Sequence, residues 1–222
     1  MVKKYRKEKD FLGEKLVEQD VLYGIHTKRA IENFPISDQK NHIELIKAIC
    51  EIKISAAKLF SDYGVFSEEI CKAIMQAGRE IIEGKLLDNI VVDVFQAGAG
   101  TSLHMNINEV IANRANEILG GKRGVYKPVH PNDTVNFGQS TNDVIPTAMR
   151  IAVIRVTEKL LKELKSFAKI FKTIGESFKE IIKAGRTHLS DAVPISLGEE
   201  ILAYGLAIEK DIKKIENVLK SL

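Results

Sequence analysis

Apolar residues return at intervals of three and four over most of this chain, and that spacing predicts helices. Between Ile43 and Phe60 the recurring positions are Ile46, Ile49, Cys50, Ala56, Ala57 and Phe60, one face of an amphipathic helix with a cap expected at Asp38 or Asn41. A second helix opens at Ser67, whose hydroxyl can accept from free amides, while Glu68 and Glu69 suit the positive helix end. Ile70, Ile74, Ile81 and Ile82 form its core face, and Gly84 stops it. Gly98 and Gly100 break the chain before a third helix, which ends at the pair Gly120-Gly121. A polar loop over residues 122–145 follows, and Pro146, with its fixed backbone angle, is placed in the first turn of the next helix.

That next helix is predicted to be long. Ile151, Ile154, Leu160, Leu161, Leu164, Phe167, Phe171, Ile174, Phe178 and Ile181 lie mostly three and four apart, with Gly175 an interior weak point. A loop around Gly185 and Pro194 leads to a last helix, in which Ile201, Gly205, Ile208, Ile212, Ile215, Leu219 and Leu222 alternate steps of four and three. The pattern is still running at the final residue, so the chain is expected to stop inside a bundle that further protein completes. Residues 11–40, by contrast, hold turn and strand-like pieces such as Tyr23-Gly24 and Phe34-Pro35, with no helical period that lasts. The expected fold is mainly α: a small N-terminal domain over 1–139, then the long helices of a central helical bundle, truncated, over 140–222.

Composition narrows the function classes. With 45% hydrophobic and 28% charged residues, the 222-residue chain has the balance of a soluble globular protein. A net charge of +3, from 33 basic against 30 acidic side chains, is too even for a nucleic-acid binder, and the basic run Lys3 to Lys9, interleaved with Glu8, reads as a solvated terminal segment. No stretch reaches the ~18 apolar residues of a membrane span or resembles a signal peptide. Neither nucleic acid nor membrane is therefore expected as a partner, and the expected location is cytoplasmic. Cys50 and Cys71 sit in helical patterns without His or Cys at ligand spacing, so they read as buried thiols, with no metal site and no cofactor expected.

Candidate chemistry lies in three polar loops, each expected to open a helix: Gly98-Ala99-Gly100-Thr101-Ser102, Gln139-Ser140-Thr141-Asn142-Asp143 and Gly185-Arg186-Thr187-His188. A helix start presents unpaired amides and the positive end of the backbone dipole, and hydroxyl or amide side chains there add directional donors for a carboxylate. Any one of these loops is adequately explained as a plain cap. Together they suit a ligand with two carboxylates. The glycines let a backbone approach a ligand closely, and Asn142 with the Ser140 and Thr141 hydroxyls supplies more donors than a cap uses. His188 can serve as an acid, a base or a charged partner, or as a structural histidine.

At these loops the sequence resembles the aspartase/fumarase superfamily. The blocks YGIHTKRAIENFPIS (23–37), QAGAGTSLHMNINEVIANRA (96–115), VHPNDTVNFGQSTNDVIPTAMRIA (129–152) and GRTHLSDAVPISLGEE (185–200) fall in that superfamily's order. The resemblance implies a helical subunit that assembles into a homotetramer whose active sites draw loops from different subunits. It implies that Thr101, Ser140, Thr141, Asn142, Thr187 and His188 contact the carboxylates of a small dicarboxylate, with Ser102 close by and Thr141 and His188 nearest the chemistry. His130, Asn132 and Asp133 resemble a second dicarboxylate spot, or equally a capped turn.

The chemistry so implied is removal of a proton beside a carboxylate, a step that piles charge onto the carboxylate oxygens and needs preorganised donors. In the superfamily a serine on a mobile glycine-rich loop takes the proton, and that loop is not among these 222 residues, so the chain by itself is expected to be inactive. YGIHT, GAGTS, QSTND and DAVP resemble the aspartase side, which eliminates ammonia from L-aspartate to give fumarate. A fumarase-type hydratase acting on L-malate, or an inactive assembly fragment, stays open. Three departures bear on the substrate: His104 where Asn is usual, Thr134 where His is frequent, and Ser190 where Gln is frequent.

Overall fold

The computed structural model describes residues 4–96 and 98–222. The chain divides into two compact units, Met1–Ala152 and Val153–Leu222, which meet within one long helix; the sequence reading places its own boundary in the loop before that helix. The order of elements is β1 (Tyr5–Asp10), β2 (Gly13–Glu18), α1 (Ile25–Asn33), α2 (Ile43–Asp62), α3 (Glu68–Ile82), α4 (Thr101–Ile118), α5 (Thr141–Ser177), β3 (Ile182–Thr187), β4 (Ser190–Ser196) and α6 (Leu197–Leu219). The fold is mainly α, as the periodicity predicts. No helix among the described residues is long and apolar enough to cross a membrane.

The first unit is organised on α4. Leu103, Ile107, Val110, Ile111 and Ala115 are buried there, with Ile49 and Ala57 of α2 and Ile74 and Ile81 of α3 in the same core. Cys50 and Cys71 are free and buried, as expected. Unusually for a core helix, α4 also buries Asn106, Asn113 and Asn116. Each amide clamps an irregular segment at both polarities: Asn106 bonds the Asn89 carbonyl and the Val91 amide, Asn113 the Leu22 carbonyl and the Gly124 amide, Asn116 both backbone groups of Val129. Buried backbone groups outside regular structure must find partners, and these asparagines supply them.

Three expectations are corrected here. The basic N-terminal run is solvated only in part, and Lys3 lies outside the described residues: β1 and β2 pair antiparallel from Tyr5↔Glu18 to Asp10↔Gly13, Lys7 and Lys9 are exposed, and Arg6 and Glu8 turn inward as a 2.7 Å ion pair. The Arg6 guanidinium also donates to the carbonyls of Glu18, Val21 and Tyr23. Second, residues 25–33 are helical; α1 follows Gly24, which has no side chain to cap it, and its first amides donate instead to the carboxylates of Glu109 and Glu8. Third, α2 is capped by His42, whose ring accepts from the Glu44 amide at 3.2 Å. Asn41 instead donates to the Val92 carbonyl. The Ser67 cap on α3 is as expected.

In the second unit the C-terminal part of α5 lies against α6. Leu161, Ala168 and Ile212 are buried between them, with Leu164, Ile208, Ile215 and Leu219 packed alongside. Gly175 is no weak point here: a Cβ built on Gly198 would collide with the Gly175 carbonyl, so the two glycines set the closeness of the crossing. Helix α5 ends at Ser177 rather than running to Ile181, and the β3–β4 hairpin follows, before Ser196 caps α6 through the Glu199 amide.

Candidate functional site

Gly98, Ala99 and Gly100 have φ of +75°, +48° and +90°, a left-handed coil of three residues leading into α4. Glycine takes this conformation without penalty, while Ala99 is held in a sparsely populated region. The coil brings the backbone close to the start of α5, where a Cβ on Gly100 would stand 3.1 Å from Ile145. Gly100 offers no capping group, and Gln96 replaces it, its Oε1 accepting from the Leu103 amide at 2.7 Å. The Thr101 hydroxyl donates back to the Gly98 carbonyl, and Ser102 is buried.

Helix α5 starts at Thr141, so Pro146 sits in its second turn and not its first. A proline there has no N–H for the carbonyl four residues earlier, and the Asn142 carbonyl loses its helical donor. Ser140 caps the helix: its Oγ accepts from the Asn142 amide at 3.1 Å and its carbonyl from Val144 at 3.0 Å. Thr141 Oγ1 lies 2.9 Å from Nδ1 of His104. Behind this pair Lys53, 1% exposed, donates to Asn136 Oδ1 at 2.8 Å and Gln139 Oε1 at 3.0 Å, tying down the turn that presents residues 140–142. The two loops border one cavity of about 370 Å³, lined by Asn41, Gln96, Gly100, Thr141, Asn142 and Met149 among others.

Burial lowers the Lys53 ammonium to about 7. Burial, and then the Lys53 charge, lowers His104 to about 3, so this imidazole is neutral near pH 7. Where an asparagine is usual, His104 thus adds size and hydrogen-bonding polarity to the site rather than charge. A histidine whose folded pKa is depressed contributes stability that is complete above its ordinary 6.5 and is lost as pH falls towards 3. Through that window the loss is about 1.4 kcal/mol per pH unit. Urea unfolding at pH 7, 5.5 and 4 is expected to show a steeper acid loss in the wild type than in His104→Asn; equal slopes would place the sensitivity elsewhere.

The third loop differs from expectation. Residues 185–188 do not open a helix: Thr187 pairs with Ser190 at the end of the β3–β4 hairpin, and His188 and Leu189, with φ of +48° and +64°, form its two-residue turn. Both side chains are exposed, so Thr187 and His188 are displayed at a hairpin tip without helix-start amides behind them. At the fourth segment, His130 Nδ1 accepts from the amides of Asn132 and Asp133, and Thr134 Oγ1 accepts from the His130 amide, a capped turn. His130 and Asn132 also line a separate cavity of about 600 Å³ with Phe11, His26 and Met105.

Gln96 and Lys53 are not among the site residues expected from the sequence, and Asn41 is expected there only as a helix cap. Lys53 had a signal: it occupies the apolar face of α2, spaced three and four from Ile49, Cys50 and Ala57, where a charge is out of place.

A family profile described as Lyase matches residues 13–222. The chain is 53% identical over 214 residues to an aspartate ammonia-lyase of Bacillus subtilis (strain 168), an alignment that covers 96% of this chain and 45% of that protein. It is 46% identical over 213 residues to a class II fumarate hydratase of Wigglesworthia glossinidia brevipalpis, covering 96% and 46%. The crystal structure of fumarate lyase:delta crystallin from Brucella melitensis superposes with a TM-score of 0.92 at 45% identity, covering 98% of this chain and 51% of that one. This chain spans about half the length of the relatives it matches.

Proposed function

The chain belongs to the Lyase family, and from that membership we propose that it is the dicarboxylate-gripping half of an aspartate ammonia-lyase subunit, which eliminates ammonia from L-aspartate to give fumarate. The observation that carries the reading is the convergence of two helix starts, those of α4 and α5, on one cavity walled by Gly100, Thr141 and Asn142. Amides and hydroxyls at helix starts stabilise carboxylate oxygens, and most of all the extra charge that builds there when the neighbouring carbon loses its proton. Thr141 and Asn142 point their donors at the ligand, while Thr101, Ser102 and Ser140 shape the turns that present it.

Thr187 and His188, exposed on a hairpin tip, are available to another copy of the chain and grip the second carboxylate in a homotetramer. Val153, Val156, Leu160, Phe167 and Ile170 of α5 are each at least 40% exposed, apolar surface that assembly would cover. Residues 140–222 supply the first part of the central bundle. His130, Asn132 and Asp133 take a secondary role, since two backbone amides already occupy His130 Nδ1. Hydration of fumarate is the second reading, favoured by the 46% identity to a class II fumarate hydratase.

The group that takes the proton lies outside these residues, so the chain alone binds without catalysing. A chimera joining it to the remaining portion of the Bacillus subtilis relative tests both points. Fumarate, followed by ultraviolet absorbance, is expected from L-aspartate with the chimera and from neither L-aspartate nor L-malate with the 222-residue chain, which should nevertheless scatter light as an oligomer. Preference for L-malate would establish the hydratase instead, and robust turnover by the chain alone would locate the base within it.

A further inference from the structure

We propose that His104 is a positioning residue whose Nδ1–H donates to the Thr141 hydroxyl oxygen, turning the Thr141 proton towards the cavity as a donor to a ligand carboxylate. The inference rests on the dicarboxylate reading above and adds to it the element that decides whether Thr141 attracts or repels such a ligand.

His104 is fully buried, and its Nδ1 stands 2.9 Å from Thr141 Oγ1. Its Nε2 meets no hydrogen-bonding partner among the described residues. Three protonation states are conceivable. The imidazolium places a second buried cation beside Lys53 and leaves its Nε2–H unpaired. The neutral Nε2–H form again strands a buried N–H, an arrangement that folded proteins tolerate less readily than an under-used acceptor. The neutral Nδ1–H form leaves only a lone pair unpartnered and makes a full bond to Thr141. Burial and the Lys53 charge both select against the first state, and hydrogen-bond accounting selects the third over the second.

The tautomer has a consequence at the cavity wall. A hydroxyl owns one proton. Were Nδ1 an acceptor, Thr141 would spend that proton on His104 and present only lone pairs to an incoming carboxylate. With Nδ1–H as donor, the Thr141 oxygen is already engaged and its proton is left for the ligand. Lys53 thus acts at two removes: it anchors the turn through Asn136 and Gln139, and its charge adds to the burial that holds His104 neutral.

Long-range proton–nitrogen correlation on the 222-residue chain labelled at histidine, assigned with His104→Asn, reads the tautomer directly. The Nδ1–H pattern at pH 7 is expected; an Nε2–H or imidazolium pattern overturns the proposal. Fumarate titrations give the second readout. Asparagine can still donate to Thr141 and leucine cannot, so His104→Leu is expected to weaken fumarate binding about tenfold while His104→Asn stays within about threefold, the difference reflecting one hydrogen bond. Equal losses in both variants, or none in leucine, overturn it. An Nε2–H tautomer with fumarate bound refutes this inference alone, whereas an Nδ1–H tautomer with no fumarate bound by the wild type refutes the dicarboxylate reading and the ligand half of this inference with it.

Discussion

Replacing Glu109 by alanine is expected to cost the first unit about 3–5 kcal/mol, the range seen when a buried charged partner is removed and its donors are left behind. The carboxylate lies within α4 at 1% exposure and receives the start of α1: Gly24 N at 2.9 Å, Thr27 N at 3.0 Å and Thr27 Oγ1 at 2.6 Å on one oxygen, His26 N at 2.9 Å on the other. Glu8 takes the remaining donor, Ile25 N, at 2.8 Å. Burial raises the carboxyl's proton affinity, against which the Thr27, His26 and Gly24 donors work. Alanine strands these donors away from water, and each unpaired buried group costs on the order of 1–3 kcal/mol. Glutamine keeps the shape and one acceptor oxygen but turns an NH₂ towards donors, so it should fall between alanine and wild type. Urea unfolding measures the series. A wild-type midpoint for alanine would mean that α1 is capped by something other than Glu109.

Replacing His188 by alanine is expected to lower fumarate formation by the chimera roughly 10²–10³-fold, the loss of a group that serves charge developing in the transition state, about 3 kcal/mol. Its place in the hairpin makes the experiment clean. His188 is an exposed turn residue that supports no core contact, so the same substitution should move unfolding by no more than about 0.5 kcal/mol. A large fall in turnover without a fall in stability is what a substrate contact predicts and a structural histidine does not. Near-wild-type turnover would return His188 to the status of a turn residue, with its φ of +48° the only special thing about it.

Helices α2, α3 and α6 were legible because each buries a stripe that repeats every three to four residues, whereas α4, buried nearly all round, was legible only through the glycines that bound it. Where a local signal also marks an end, as Ser67 and Gly84 do for α3, the ends were legible too. The donor loops were legible for a related reason, since hydroxyl and amide residues beside glycines are local signals. Thr141 and Asn142 do border a cavity with Gly100. The errors share another cause. Helix α1 carries no capping residue of its own, Pro146 lies a turn deeper than its preference suggests, and residues 185–188 form a hairpin whose turn residues are His and Leu rather than Asn or Gly.

What the sequence determined by itself is therefore the set of helices and the residue types able to hold a carboxylate, because a helix face and a cap are decided within a few residues of chain. The tertiary structure alone decided which of those groups meet. Glu109 reaches donors 82 to 85 residues away, Lys53 reaches Asn136 and Gln139 across a comparable gap, and His104 finds Thr141 37 residues along the chain. A charge on the apolar face of α2 or in the middle of α4 looks like a fault when read locally. It becomes a cap or a clamp only when folding excludes water and leaves each buried polar group dependent on the partner that packing brings to it.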